Sequence, residues 1–288
     1  MARMLTRTVC LMILLVLSIF LDPLTLPPAF SADGEGIIAQ SQDYFPDVTG
    51  NRWQYRGQIS EGPLQTIDNK FFSNVSSVTG TKTLKGGTTV TVFHDTNPGN
   101  HGPSESFYRR DAVGIVYYGS EPGTTLERQL VPYQIVRFPM KVPSSFKQFD
   151  RTNIDFGNDL DSDGTNEHVD VQGQAAIIGR ETIMVPAGSF KEAIKVEARM
   201  TLNIHMSSNN RTIIGTDIMT AWFVKGVGLV KYLERQELGA MKEDRGLVTE
   251  IIEELEEFDV KIDSSSLGRR ESPPDRLFAH HPRHEELP

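Results

Sequence analysis

Most of this chain consists of short segments in which apolar and polar residues alternate, with turn-forming residues between them. Alternation with a period of two gives a strand one apolar and one polar face, and closely spaced turns favour antiparallel neighbours. No strand–helix–strand rhythm is present, which argues against a parallel nucleotide-binding sheet, and the predicted class is mainly β. The predicted strands are 51–59, 69–84, 88–95, 105–111, 113–121, 130–142, 168–185, 191–207, 211–226, 227–237 and 246–262.

The last of these segments is compatible with two structures. Residues 246–262 contain strong helix formers, and Ile251, Leu255 and Phe258 would share one face of a helix. A strand is favoured, because antiparallel folds of this kind usually end on one.

The first 31 residues have the layout of a secretory signal, with two arginines, an apolar stretch at 9–21 and small residues before a cleavage point. The apolar stretch is too short for a comfortable membrane span, and an uncleaved anchor is the alternative. Cleavage would leave Ala32 near the new N-terminus and would remove Cys10, the single cysteine. The mature protein is therefore predicted to be periplasmic or secreted, without disulfides or cysteine-bound metal.

The predicted organisation is a signal peptide at 1–31, an N-terminal linker at 32–43, one antiparallel β domain at 44–262 and a disordered tail at 263–288. The tail is rich in Ser, Pro and charged residues and lacks apolar periodicity. The formal charge of −9 and the lack of a basic stripe argue against nucleic acid as a partner. No stable membrane span is expected after cleavage of the signal.

Three motifs resemble those of a group of bacterial exported proteins and lipoproteins. They are YFPDVTGNRWQYRG at 44–57, VPAGSFKEAIKV at 185–196 and WFVKGVGLVKYLER at 222–235. The pattern is similar to the half-barrel superfamily of the periplasmic lipoprotein carriers LolA and LolB and to the related domain of unknown function 3108. The likeness covers most of residues 44–237.

This resemblance implies a single, strongly curved antiparallel sheet, a half-barrel whose concave face is apolar. In the lipoprotein carriers that face accommodates acyl chains, so lipid or lipoprotein acyl chains are the implied partners. The aromatic and aliphatic residues of this chain fit either a ligand cavity or a plain packed core. The implied role is a non-catalytic envelope protein, and a structural or surface protein without a cavity is the alternative.

Five acidic side chains fall within the stretch DLDSDGTNEHVD at 159–170. The stretch fits the twelve-residue calcium-loop pattern, with Asp in place of the final Glu. A calcium ion would offset the repulsion among the carboxylates, whereas a solvated Asp-Gly turn is the alternative without a metal. The predicted calcium ligands are the side chains of Asp159, Asp161, Asp163, Glu167 and Asp170 and the backbone carbonyl of Thr165.

Motifs that would indicate catalysis are absent from the sequence. There is no Gly-x-Ser-x-Gly elbow and no His-Glu-x-x-His zinc motif. Asp217 and Glu181 are one carboxylate pair that could meet in space, as could many others. The chain is therefore predicted not to be an enzyme, and an unrecognised hydrolase is the second alternative.

Overall fold

The computed structural model describes residues 36–63, 68–209, 211–240 and 246–261. The predicted signal peptide and the predicted tail lie outside the described residues. Within the segment predicted as a linker, Gly36–Ile37 pairs with Lys141–Val142, and Ile38 is buried. No helix in the described part of the chain has the length and apolar character needed to cross a membrane.

The described regular structure consists of strands, one short α-helix and two 3-10 helices. In chain order the strands are β1 (Gly36–Ile37), β2 (Arg52–Pro63), β3 (Asp68–Thr83), β4 (Thr89–Asp95), β5 (Ser104–Asp111), β6 (Gly114–Glu121), β7 (Tyr133–Arg137), β8 (Lys141–Val142), β9 (Ser144–Asp155), β10 (His168–Val185), β11 (Gly188–His205), β12 (Thr212–Val224), β13 (Gly228–Leu238) and β14 (Leu247–Asp259). The helix α1 (Thr125–Leu130) lies between β6 and β7, and the 3-10 helices are Ser41–Tyr44 and Pro98–Asn100.

Twelve of the strands form one antiparallel sheet in the order β7-β6-β5-β4-β3-β2-β14-β13-β12-β11-β10-β9. The sheet curls into a nearly closed barrel, in which the edge strands β7 and β9 approach each other. Across this seam the ring centroids of Tyr133 and Phe149 are 5.0 Å apart, and Gln148 Nε2 donates to the Gln134 carbonyl at 3.1 Å. The predicted class and the single curved sheet are confirmed, and the sheet closes further than a half-barrel.

Side chains alternate between the inside and the outside of the barrel along each strand, as β13 illustrates. Val230, Glu234 and Leu238 are buried and point inward, whereas Lys231 and Arg235 form ion pairs outside. Residues directly opposite each other on neighbouring strands lie on the same face of the sheet. The register therefore determines which side chains of β12 and β14 share the interior with those of β13.

Apolar clusters fill the two ends of the barrel interior. The end near the β11–β12 turn is packed by a cluster that includes Leu130, Leu202, Ile204, Ile213 and Leu238. The opposite end is packed by two clusters that include Ile177, Ile194 and Val196 in one and Trp53, Val230 and Leu255 in the other. Burial of each such aliphatic side chain contributes about 2 kcal/mol, so these ends hold the sheet in its curved form.

The first and third motifs of the resemblance pack against each other at one end of the barrel. Trp53 Nε1 donates to the Val227 carbonyl at 2.6 Å. Gly228 has a φ of +95°, and a Cβ at this position would lie 3.3 Å from Pro46. These motif residues therefore fasten the start of the domain to the β12–β13 turn, which is a structural role.

Three elements differ from the sequence-based prediction. The strand predicted at 130–142 is divided into β7 in the large sheet and β8, which pairs with β1. β9 lies where no strand is predicted, because a register shift beside Gly173 places Phe146 and Phe149, three positions apart, on the same face. The short helix α1 is also unpredicted, and it begins at a capping box formed by Thr124 and Glu127. By contrast, the favoured strand at the end of the domain is confirmed as β14.

Candidate functional site

The acidic loop, residues 156–167, connects β9 to β10 and packs against the β11–β12 turn. Phe156 N donates to the Glu167 carbonyl at 2.9 Å and closes the base of the loop. Ser207 and Ser208 of the turn donate hydrogen bonds to carboxylates of the loop. The loop is therefore anchored on a neighbouring hairpin.

Glu167 lies at the centre of the acidic loop and is fully buried, with 0% of its surface exposed. Its Oε1 accepts from the Leu160 amide at 3.1 Å, and its Oε2 accepts from the Ser207 amide at 2.7 Å. Backbone amide donors stabilise a buried carboxylate more strongly than neutral hydrogen bonds do. The Glu167 side chain thus joins the loop to the turn.

Three of the predicted calcium ligands converge. Asp159, Asp161 and Glu167 each place one carboxylate oxygen within 4.8 Å of the other two. The orientation of Asp159 is fixed by three loop amides, which donate to it at distances between 2.6 and 3.1 Å. Three hard oxygen atoms around one point are part of a calcium shell, since calcium takes six to eight oxygens.

The other predicted ligands are placed outside this three-carboxylate group. Asp163 accepts from the Thr165 amide at 2.8 Å and from the Ser207 hydroxyl at 2.9 Å. Asp170 projects from the outer face of β10, where its Oδ2 lies 3.1 Å from His205 Nε2. The structure therefore brings together three of the five predicted carboxylates.

A second group of polar side chains, which sequence reasoning did not predict, lies inside the barrel. The group, called the polar belt below, consists of Asp217, Tyr232, Glu234, Gln236 and Glu253. Cross-strand pairing sets Gln236 opposite Asp217 and Tyr232 opposite Glu253 on the concave face. The exposed fraction is 0% for Asp217, 4% for Gln236 and 7% for both Glu234 and Glu253. The belt lies between the apolar clusters of the two barrel ends.

Glu234 is hydrogen-bonded to three other members of the polar belt. Tyr232 Oη donates to its Oε2 and Gln236 Nε2 donates to its Oε1, each at 2.6 Å. Asp217 is its third hydrogen-bond partner, and burial raises the pKa of Glu234.

Glu253 occupies the other side of the polar belt. The Gly99 amide donates to its Oε1 at 2.9 Å, and Asn74 Nδ2 donates to its Oε2 at 3.3 Å. Burial, followed by the negative charges of Asp95 and Glu234, raises the pKa of Glu253 to about 7, although the two hydrogen bonds oppose this shift. Glu253 therefore titrates near neutral pH.

Two acids of the polar belt, Glu234 and Glu253, have no ion pair with a basic side chain of the described residues. No described lysine, arginine or histidine lies within ion-pairing distance of Glu234 or Glu253. A buried carboxylate without a positive partner is strongly unfavourable, which is the physical reason that burial raises the pKa of both groups.

Aromatic rings run around the rest of the interior from β2 to β9, with consecutive centroids between 5.0 and 6.2 Å apart. This aromatic ladder consists of Trp53, Phe93, Tyr108, Tyr117, Tyr133 and Phe149. Burial raises the pKa of Tyr133, and neighbouring charges that include Asp217 and Glu234 raise it further. The ladder and the polar belt therefore lie within electrostatic reach of each other across one interior.

Accessible surface remains in the middle of the barrel. The inward-facing side chains of Tyr133, Met219 and Tyr232 are only partly buried. Nearer the ends, Val230 and Leu238 are 0% and 5% exposed. These partly buried side chains lie between the two packed ends, beside the polar belt and the aromatic ladder.

The polar belt escapes sequence reasoning because its residues alternate with equally polar ones. On β13, Glu234 and Gln236 point inward, while Arg235 and Glu237 form an ion pair outside. When both faces of a strand are polar, the alternation of residues does not show which face points into the barrel. The pair of Asp217 and Glu181 that the sequence allows has other partners: Glu181 accepts from the Trp222 indole, and Asp217 bonds to Glu234.

Comparisons with known proteins find a distant likeness. No protein-family model and no curated protein matches the chain. One similar solved structure is a presumed exported protein with a YmcC-like fold from Bacteroides fragilis, 15% identical with a TM-score of 0.33. Another is a presumed lipoprotein from Parabacteroides distasonis, 17% identical with a TM-score of 0.30. Each of the two matches covers 75% of this chain and 98% of the chain in the solved structure.

At these TM-scores the likeness carries no inference about this chain. The resemblance to the LolA and LolB half-barrels and to the domain of unknown function 3108 stays a prediction from the sequence motifs.

Proposed function

We propose that this protein is an exported, non-catalytic binding protein of the bacterial envelope, periplasmic or secreted, with a ligand compartment inside the barrel. The observation that carries the proposal is the accessible surface on inward-facing side chains in the middle of a nearly closed barrel. A purely structural barrel would fill this space with apolar side chains, as both ends are filled. Export is supported by the signal-like layout of residues 1–31.

Lipid or lipoprotein acyl chains are the ligand that the resemblance to the carriers implies. The apolar clusters offer acyl chains a compatible lining toward each end of the barrel. The polar belt interrupts that lining, and an acyl chain that crossed it would contact buried carboxyl groups. A calcium-bound structural protein without a ligand is the alternative.

Native mass spectrometry of the protein purified from its own envelope tests the proposal. We expect a chain that begins near Ala32 and carries a bound molecule, whose mass disappears on denaturation. Recovery of an intact Met1 in the membrane fraction would contradict export. A mass equal to the bare polypeptide in every preparation would contradict the ligand compartment. A fluorescent acyl probe added to the bare protein then separates acyl chains from other ligands.

The acidic loop is proposed to be a calcium site that stabilises the connection between β9 and β10. Its three-carboxylate group supplies oxygen ligands, with Asp163, Asp170 and the Thr165 carbonyl as the further proposed ligands. Carboxylate and carbonyl oxygens suit calcium better than a transition metal. Asp170 would have to exchange its contact with His205 for the ion, so the three-carboxylate group forms the core of the proposed site.

Calcium is expected to raise the melting temperature of the mature protein by a few degrees. A ligand that binds only the folded state adds roughly 1.4 kcal/mol at about ten times its dissociation constant. In a domain of this size that free energy corresponds to a shift of a few degrees. The measurement is a thermal melt with and without millimolar calcium. Magnesium is expected to do less, because a flexible multi-carboxylate loop suits the larger ion.

The combined change Asp161→Asn and Asp163→Asn is expected to abolish this calcium response. The calcium-free variant should be about as stable as the unmutated protein, since repulsion within the loop is relieved. The control is Glu121→Gln, at a position that lies far from the loop in sequence. It removes an exposed carboxylate that pairs with Lys82, and it should keep the calcium response. A melting temperature of the unmutated protein that is indifferent to calcium would return the loop to a solvated turn.

An unrecognised hydrolase is the second candidate function, and one observation favours it. The buried carboxyl groups of Asp217 and Glu234 are neighbours, and two adjacent carboxyl groups can supply both an acid and a base. A hydrolase would convert its ligand and release the product. A bound mass that persists unchanged during prolonged incubation therefore supports the binding protein over the hydrolase.

A further inference from the structure

We propose that the polar belt is a binding site for a small organic ammonium ion. The proposal names the ligand class of the barrel interior, so it rests on the proposed function. Three features carry it: the buried acids Glu234 and Glu253, which have no basic partner among the described residues; a buried acceptor without a donor; and aromatic rings close to the belt.

The first feature is the acidic character of the interior. The titratable groups that face Glu234 and Glu253 from the surrounding elements are Tyr55 on β2, Asp95 on β4, Tyr133 on β7, Asp217 on β12 and Tyr232 on β13. These five are carboxyl or phenol groups, which are neutral or negative. The ring of His101 lies against Gly99, whose amide donates to Glu253, and burial lowers the pKa of this imidazole, which favours its neutral form. A ligand that brings a positive charge would supply the missing partner for the buried carboxylates.

The second feature is the side-chain amide of Gln236. Its Nε2 donates to Glu234. Its Oε1 has no hydrogen-bond partner among the described residues, and with only 4% of the residue exposed, water does not readily reach this oxygen. A buried acceptor without a donor costs about 1–3 kcal/mol. A primary ammonium group carries three N–H donors, so it can bond to this oxygen and to neighbouring carboxylates at the same time.

The third feature is the aromatic ladder. Its Tyr133 ring lies within electrostatic reach of Asp217 and Glu234. The face of an aromatic ring attracts a desolvated ammonium group by about 2 kcal/mol. Ala198 and Ala221, which point inward on β11 and β12, place only small side chains beside the belt.

The arrangement favours an organic cation over a metal ion or an anion. Among the described residues, three ligating atoms come within 4.8 Å of one another in the acidic loop and not in the polar belt. The belt carboxyls are spread over β12, β13 and β14, a spacing that fits a ligand larger than a bare ion. An anionic head group would be repelled by the same carboxyls.

Binding of an ammonium ion is expected to release protons from the belt. The pKa of Glu253 is raised to about 7, chiefly by burial, and burial also raises that of Glu234. The cation binds the ionised carboxylates. Below pH 7 its affinity should therefore increase with pH, by up to about tenfold per pH unit for each proton that binding releases. Above the raised pKa the affinity should level off, while an alkylamine probe itself stays protonated to about pH 10.

Isothermal titration calorimetry of the mature protein tests the inference with three probes, butylammonium chloride, tetramethylammonium chloride and neutral 1-butanol. Titrations run at pH 6, 7 and 8 with calcium held constant. Butylammonium should bind at least about tenfold more tightly than butanol, because the charge is the recognised feature. Buffers of different ionisation enthalpy should show that protons are released on binding.

Glu234→Gln and Glu237→Gln form a matched pair, since they remove one carboxylate each from the inner and the outer face of β13. Glu234→Gln should weaken butylammonium binding at least about tenfold. Glu237→Gln removes an outer ion pair and should change the affinity by about twofold at most. Circular dichroism and thermal melts establish that both variants are folded. If Glu234→Gln unfolds, Glu253→Gln replaces it and should remove most of the pH dependence.

If neither butylammonium nor tetramethylammonium binds the folded protein at millimolar concentration, the inference is overturned. Equal losses in Glu234→Gln and Glu237→Gln would also overturn it, because they would indicate a general surface-charge effect. Binding of the acyl probe without ammonium binding would refute this inference and leave the proposed function intact. Bare polypeptide in native mass spectrometry, with no binding of any probe, would refute the proposed function itself.

Discussion

Replacing Glu167 with Ala is expected to lower the free energy of unfolding by about 3 kcal/mol, even with calcium removed by a chelator. The change removes the acceptor of the Leu160 amide, which is buried, and of the Ser207 amide, which is partly buried. Each unsatisfied buried donor costs about 1–3 kcal/mol. The connection between the acidic loop and the β11–β12 turn is lost at the same time. Urea unfolding of the mature protein at constant pH measures the effect.

Two further variants separate this role from a general effect of charge. Glu167→Gln keeps one acceptor oxygen, so its loss of stability should be about half that of Glu167→Ala. Glu121→Ala removes an exposed carboxylate that forms an ion pair with Lys82, and it should change stability by about 1 kcal/mol at most. A loss below 1 kcal/mol for Glu167→Ala would show that the loop does not depend on this side chain.

The sequence pattern predicts the strands well where one face of the sheet is apolar. On β10, Val169 and Val171 point inward and Asp170 points outward, as strict alternation requires. The same alternation indicates that the Asp170 side chain points away from the acidic loop. The calcium-loop spacing, by contrast, includes Asp170 as a ligand. A local spacing motif and a strand pattern thus compete for this residue, and in the structure Asp170 follows the strand.

Strand β9 could not be predicted because its register changes within the strand. Phe146 and Phe149 both face the interior, opposite Ala175 and Gly173 of β10. A bulge shifts the phase of alternation between them, so a pattern search with a period of two finds one of these residues on each face. Only the pairing with β10 reveals the strand, and pairing is a property of the fold.

The two candidate sites differ in how far the sequence defines them. The acidic loop is local, so its spacing predicts a group of five carboxylates, of which Asp159, Asp161 and Glu167 come together in the structure. The sequence contains no sign that Glu167 is buried, because the Ser207 amide that accompanies it comes from a different hairpin. The polar belt is assembled entirely by register between strands that are distant in sequence, so it becomes visible only in the folded chain.

Replacing Glu253 with Gln is expected to change how stability depends on pH. Burial raises the pKa of folded Glu253 to about 7 from an ordinary value of 4.5, so between these values the folded state binds more protons than the unfolded state. Stability contributed by this group is therefore present below pH 4.5 and is lost as the pH rises through about 7. The loss amounts to about 2.5 kcal/mol between pH 5 and pH 8.5.

The Gln variant carries no titrating group at this position, so it should escape that loss. At pH 5 it should be about 1 kcal/mol less stable than the unmutated protein, because its amide can accept from only one of the Gly99 and Asn74 donors. At pH 8.5 the order should reverse, and the variant should be more stable by about 1–2 kcal/mol. Urea unfolding at a series of pH values measures the difference.

The neighbouring Glu254 provides the matched control, because it occupies the outer face of the same strand. Its pKa is lowered, since hydrogen bonds and charges from Lys231 and Arg56 outweigh its partial burial. It therefore titrates below pH 4.5, and the difference between Glu254→Gln and the unmutated protein should stay flat from pH 5 to pH 8.5. Equal pH profiles for Glu253→Gln and Glu254→Gln would mean that Glu253 is ionised at neutral pH in the folded protein. In that case the interior would already hold a counter-charge, and the argument for a cationic ligand would lose its main electrostatic support.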